Sequence, residues 1–101
     1  GRIEAAWNAE PQNAAITDSL GWAYFLTGRT AEAVPLLERA QASEPANAVI
    51  VEHLGDAYWK AGRKFQARYT WRAAALLAED EMAARLTAKL REGLTAATTA
   101  P

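Results

Sequence analysis

The sequence predicts an all-α protein, an α-solenoid of about six helices arranged as antiparallel pairs. Three observations carry that reading. The phrase EPQNA at residues 10–14 returns as EPANA at residues 44–48, 34 positions on. The same shift places Leu20, Gly21, Ala23, Tyr24, Gly28, Arg29, Ala33 and Ala40 on Leu54, Gly55, Ala57, Tyr58, Gly62, Arg63, Ala67 and Ala74. Within each unit the apolar positions recur at three and four, as in Ile16, Leu20, Ala23, Tyr24 and Thr27, with no alternation of the kind a strand needs.

Each unit reads as two helices. Asn13 and Asn47 are N-cap candidates, because an Asn side chain accepts from the unpaired N–H groups of a first turn. The first helices run from about Ala14 to Thr27 and from about Ala48 to Ala61, and Gly28 and Gly62 stop them. The second helices run from about Ala31 to Ser43, with Thr30 as cap, and from about Lys64 to Ala78. Pro35 costs the first of these one backbone hydrogen bond, and Pro45 ends it by disfavouring helical geometry at Glu44.

The two ends break the pattern. Residues 1–12 have the register of a second helix whose first helix is missing, with Ile3 and Ala6 where Leu37 and Ala40 fall. Together with the absence of an initiator Met, this reads as the C-terminal fragment of a longer protein. Repeats then occupy 13–47 and 48–80. Asp80 is expected to cap a terminal helix over 81–94, with Met82, Leu86 and Leu90 on one stripe and Arg85, Lys89 and Arg91 among its polar positions. A polar-backed helix closes a stacked array against water. Residues 95–101 have little to bury and are expected to be disordered.

Composition excludes several functions. A net charge of −1 gives no overall attraction to nucleic acid or an anionic membrane, and the absence of cysteine removes thiolate metal sites and disulfides. No apolar run reaches the roughly 18 residues of a membrane span. Lys64, Arg68 and Arg72 form an i, i+4 basic line that reads as a solvated outer face. Asp18, Ser19 and the single histidine, His53, invite a catalytic triad, but Ser19 lies in a regular helix without a strained elbow or oxyanion donors. His53 is expected to be half-buried at a groove edge. No catalytic, metal or cofactor site is expected.

Leu20-Gly21-x-x-Tyr24, Ala33-x-x-x-Leu37, Ala40 and Pro45, repeated as Leu54-Gly55-x-x-Tyr58, Ala67-x-x-x-Trp71 and Ala74, resemble the tetratricopeptide repeat. Departures fall at Thr17 and Val51, where that family has Trp, at Leu37 and at Glu79. The resemblance implies a right-handed superhelix in which Gly21 and Gly55 permit close helix approach and first helices line a concave groove for a partner segment. The groove positions are then Ala15, Asp18, Trp22, Phe25 and Leu26, with Val49, Glu52, Asp56, Trp59 and Lys60.

Aromatic anchors among Asp18, Glu52 and Asp56 would select a hydrophobic segment carrying Lys or Arg. The basic cluster of chaperone-tail binders is missing. The expected role is therefore a protein-binding scaffold. The alternatives are a self-association segment, using Ile3 and Trp7 at the exposed start, and a docking domain of a larger enzyme. The alanine- and arginine-rich style is similar to long bacterial repeat proteins, many of them exported, and leans towards the bacterial periplasm.

Overall fold

A computed structural model describes residues 13–101, and in them five helices and no strand. These are α1 (Ala14–Leu26), α2 (Thr30–Ser43), α3 (Ala48–Lys60), α4 (Lys64–Leu77) and α5 (Asp80–Glu92). The most extensive contacts are within the hairpins α1–α2 and α3–α4, followed by α2 on α3 and α4 on α5, with α1 also touching α3. The sixth helix expected over 1–12, and with it Ile3 and Trp7, lies outside the described residues.

Local chemistry sets most of the helix ends. Asn13 Oδ1 accepts from the Ile16 N–H at 3.1 Å, and Asn47 Oδ1 accepts from Val49 and Ile50 at 3.1 and 3.3 Å. Gly28 and Gly62 stand at φ +83° and +82°, a left-handed region open to glycine. There the Gly28 and Arg29 N–H groups reach the carbonyls of Phe25 and Tyr24, and those of Gly62 and Arg63 reach Trp59 and Tyr58. That pair of bonds is the Schellman closure. In both copies the arginine after the glycine lays its guanidinium over the tyrosine ring, Arg29 on Tyr24 at 4.2 Å and Arg63 on Tyr58 at 4.6 Å.

Two expected caps are not made. Thr30 is the first residue of α2 behind Arg29, which makes no side-chain cap bond. Asp80 is the first residue of α5 behind Glu79, again without a side-chain cap, and Asp80 itself adopts φ +51°. The left-handed turn at Asp80 redirects the chain where a capped helix start was expected.

The hairpins close on small residues. A Cβ built on Gly21 would lie 2.9 Å from Leu37 Cγ, and one on Gly55 would lie 2.5 Å from Trp71 Nε1. Leu37 and Trp71 are both fully buried, as are Ala33, Ala67 and Ala74. Each unit therefore presses one large side chain of its second helix into a glycine notch of its first. Overpacking such a notch costs about 1–3 kcal/mol, against a gain of about 1 kcal/mol when Ala replaces Gly in a helix. Gly55→Ala is expected to lower the thermal midpoint, because the planar indole cannot move aside. Gly21→Ala should lower it less, because Leu37 can change rotamer. Equal midpoints for the two variants in thermal melts would reject the notch argument.

Tyr58 ties the second unit to the first. Its hydroxyl donates to Glu38 Oε2 at 2.6 Å. Burial, reinforced by the Glu38 carboxylate, pushes its ionisation up to about 12.

Candidate functional site

The face built by α1 and α3 carries the expected groove residues, and it is covered. Residues of α5 and of the segment 93–101 lie across it. The buried apolar stripe of α5, with Leu86 fully enclosed and Met82 and Leu90 packed beside it, seats the helix on the core. That seating brings Arg85 and Lys89 against α3. Arg85 donates from Nε and Nη2 to the two oxygens of Glu52 at 2.8 and 2.6 Å. Lys89 Nζ donates to Glu52 Oε2 at 2.6 Å and to Asp56 Oδ1 at 2.8 Å. Glu52, Asp56 and Lys89 are all within 1% of complete burial. Asp56 Oδ1 also accepts from the Trp71 indole N–H at 2.9 Å.

The segment after α5 continues the cover. Gly93, at φ +81°, brings its backbone so close to Trp59 that a Cβ there would meet the ring at 2.6 Å. Thr95 and Thr98 then bond each other's side chains and N–H groups, and Thr98 Oγ1 donates to the Gly93 carbonyl at 3.0 Å. This folded turn delivers the Ala100 N–H to Asp56 Oδ2 at 2.9 Å and the Pro101 carbonyl to His53 Nε2 at 3.2 Å. The sequence predicts disorder for 95–101. The structure instead anchors this segment, because side chains of α3 bond its backbone.

His53 is buried, at 5% exposure, rather than half-buried. Its ring stacks on Trp22 at 3.9 Å and 14°, and Trp22 stacks in turn on Phe25 at 4.4 Å. Nδ1 faces both oxygens of Asp18, at 2.9 and 3.1 Å. Asp18 and His53 are thus brought together. The group beyond Nε2 is the carbonyl of Pro101, while Ser19 is exposed. Both ring nitrogens therefore lie within hydrogen-bond distance of oxygen atoms.

The ten expected groove positions divide accordingly. Asp18, Trp22, Phe25, Glu52 and Asp56 are buried beneath the cover, and Trp59 is half-buried. Ala15, Leu26, Val49 and Lys60 remain exposed. One open cavity of about 490 Å³ persists between Phe25, Leu26, Trp59 and Lys60 on the helices and Leu94, Thr95, Ala96 and Thr99 of the covering segment.

The basic line of α4 is not simply solvated. Lys64 and Arg68 both lie over the Trp59 ring, each at 4.9 Å, while Arg72 is exposed. Trp59 also stacks on Trp71 at 5.4 Å. Arg85 and Lys89 were expected among the polar positions of a capping helix, and their role against α3 was missed. A signal for it exists in the sequence: Glu52 and Asp56 are four apart, and so are Arg85 and Lys89. One turn of acids can therefore meet one turn of bases.

Electrostatics separates the two acids. Burial pushes the Asp56 carboxyl up, and the nearby Lys89 ammonium only partly offsets this. Burial acts the same way on Glu52, but the bonds from Arg85 and Lys89 outweigh it and leave that carboxyl below its usual range. Asp56 therefore takes a proton before Glu52 as pH falls. A raised folded value means that the folded state holds this proton more readily than the unfolded chain, so acidification through the Asp56 window adds stability. The lowered value of Glu52 means the reverse: its contribution is complete above the unfolded value and is lost as pH falls through the folded one. Urea unfolding across a pH series is expected to show stability held on mild acidification and falling below the ordinary carboxylate range. Glu52→Gln should flatten that fall. An acid limb of the same slope in the variant would show that other carboxylates control it.

Among the described residues no group of three or more His, Asp or Glu side chains is placed to hold a metal ion, and no helix is long and apolar enough to cross a membrane. The chain matches no protein-family model, no curated protein and no solved structure.

Proposed function

We propose that this chain is a helical-repeat interaction module of the tetratricopeptide type, stacked as a solenoid, and that the α1–α3 face binds a segment of a partner protein. The supporting observation is what already lies on that face. An amphipathic helix with apolar Met82, Leu86 and Leu90 and basic Arg85 and Lys89 meets Glu52 and Asp56, and an Ala-Pro backbone meets Asp56 and His53. The chemistry expected of a partner, hydrophobic anchors with Lys or Arg between them, is the chemistry of the chain's own residues 80–101. A partner would bind by displacing them, entering from the open cavity beside Leu26 and Lys60. Its apparent affinity is then reduced by the fraction of time the face is covered.

A fluorescent peptide of the sequence of residues 80–101 provides the test. It should bind the full chain weakly, and a chain carrying Arg85→Ala, whose internal helix is less firmly held, more tightly. Glu52→Gln combined with Arg85→Ala should weaken it again. If the peptide fails to bind the Arg85→Ala chain at any soluble concentration while circular dichroism shows that chain folded, the α1–α3 face is not a peptide-binding site.

A further inference from the structure

The break between α4 and α5 is marked in the sequence by the cap candidate Asp80 and by no helix-breaking residue. From Lys64 to Glu92 there is no glycine and no proline, and Ala78 and Glu79 between the helices and Asp80 at the start of α5 are all compatible with helix. The buried positions of the two helices also stay in one phase across the junction. Ala67, Trp71, Ala74, Ala78, Met82 and Leu86 all pack on the core and succeed one another at steps of three and four. The chain is bent only by extended backbone at Ala78 and Glu79 and by the left-handed φ of +51° at Asp80. That conformation is disfavoured for any residue with a Cβ, though Asp tolerates it better than most. Immediately before the bend, Leu76 is 89% exposed and Leu77 40% exposed.

We propose that this junction is a hinge, and that straightening it passes α5 and the segment after it to a second copy of the chain. The two copies exchange identical elements. The Arg85 and Lys89 of each pair with the Glu52 and Asp56 of the other, and the Ala100 N–H of each reaches the other's Asp56. Every contact of the closed form is remade between chains, so the exchange turns on the hinge and on protein concentration. The straight form removes the left-handed residue, gains helical hydrogen bonds through 78–80, and brings Leu76 and Leu77 of two chains near the twofold axis, where they can cover each other. The occupant of the α1–α3 face in this state is a second copy, and the exchange needs no foreign ligand.

The hinge residue gives variants of opposite sign. Asp80→Ala disfavours the bend and favours helix, while Asp80→Gly accepts the bend and disfavours helix. In light scattering across a concentration series, Asp80→Ala should lower the dimer dissociation constant by roughly tenfold relative to the parent chain, and Asp80→Gly should raise it. Exchange is distinguished from face-to-face pairing by mixing two Asp80→Ala chains, one carrying Glu52→Cys and the other Arg85→Cys. A short bis-maleimide should join them predominantly as the mixed product. Circular dichroism checks that each variant is folded. The proposal is overturned if folded Asp80→Ala stays monomeric at all concentrations. Dimers indifferent to residue 80, or crosslinks that join like with like as readily as the mixed pair, overturn it too.

Discussion

Lys89→Met is expected to destabilise the fold by about 3–5 kcal/mol, the cost of removing one partner from a buried ion-pair network. Lys89 Nζ is the shared donor to Glu52 and Asp56, and all three side chains are shut away from water. Methionine keeps much of the stem's volume but removes the ammonium, including its position 5.5 Å from the Trp71 ring centroid, so the loss is chiefly one of charge. Arg85 would still neutralise Glu52. Asp56 would retain only the Trp71 and Ala100 N–H bonds around a buried carboxylate. Since a domain of this kind is stable by only about 5–15 kcal/mol, the variant should be near its unfolding midpoint at modest urea. Adding Asp56→Asn removes the stranded charge and should recover much of the loss, because an amide needs no counter-ion. Urea unfolding of the single and double variants checks both statements. A Lys89→Met chain as stable as the parent, or a double variant weaker than the single one, would show that Lys89 does not hold this network together.

Trp71→Ala should cost about as much by a different route. Truncating a buried tryptophan costs about 3–5 kcal/mol, part of it lost transfer energy and part the cavity left behind. Trp71 is fully buried in the Gly55 notch, stacks on Trp59, and donates its indole N–H to Asp56. Trp71→Phe keeps a ring in the notch but leaves Asp56 without that donor, so its smaller loss measures the polar share. Coupling provides the sharper readout. Gly55→Ala clashes with the indole in the parent chain but fills space in the Trp71→Ala chain. The two substitutions together should therefore be less destabilising than their separate effects predict. Strict additivity in a thermal double-mutant cycle would show that Gly55 and Trp71 do not meet as described.

The period of 34 and the helix ends were legible because their causes are local. Asn13 and Asn47 bond groups two or three residues away, and Gly28 and Gly62 close their helices through residues no more than five apart. The notch pairs Gly21–Leu37 and Gly55–Trp71 were legible one level up, because a hairpin must bring its own two helices together. Thr30 and Asp80 were misplaced by one position, at ends where no side-chain bond decides the boundary.

The residues expected to line the face were named by position, but whether that face is open was not written at any of those positions. Glu52 meets Arg85 across 33 residues, Asp18 meets His53 across 35, and His53 meets Pro101 across 48. A stretch such as TAATTAP has no apolar side chains large enough to announce burial. It is held by backbone bonds from Asp56 and His53, and backbone groups are the same in every sequence.

By itself, then, the sequence determined the described helices, the caps at Asn13 and Asn47, the stops at Gly28 and Gly62, the period and the small residues on which each pair closes. These depend on interactions within a turn or within one hairpin. Only the tertiary structure decided that Glu52, Asp56 and Lys89 are buried together and that residues 80–101 lie over the α1–α3 face. Burying a charge is favourable only when its partner arrives from elsewhere in the chain, and that arrival depends on the assembled fold.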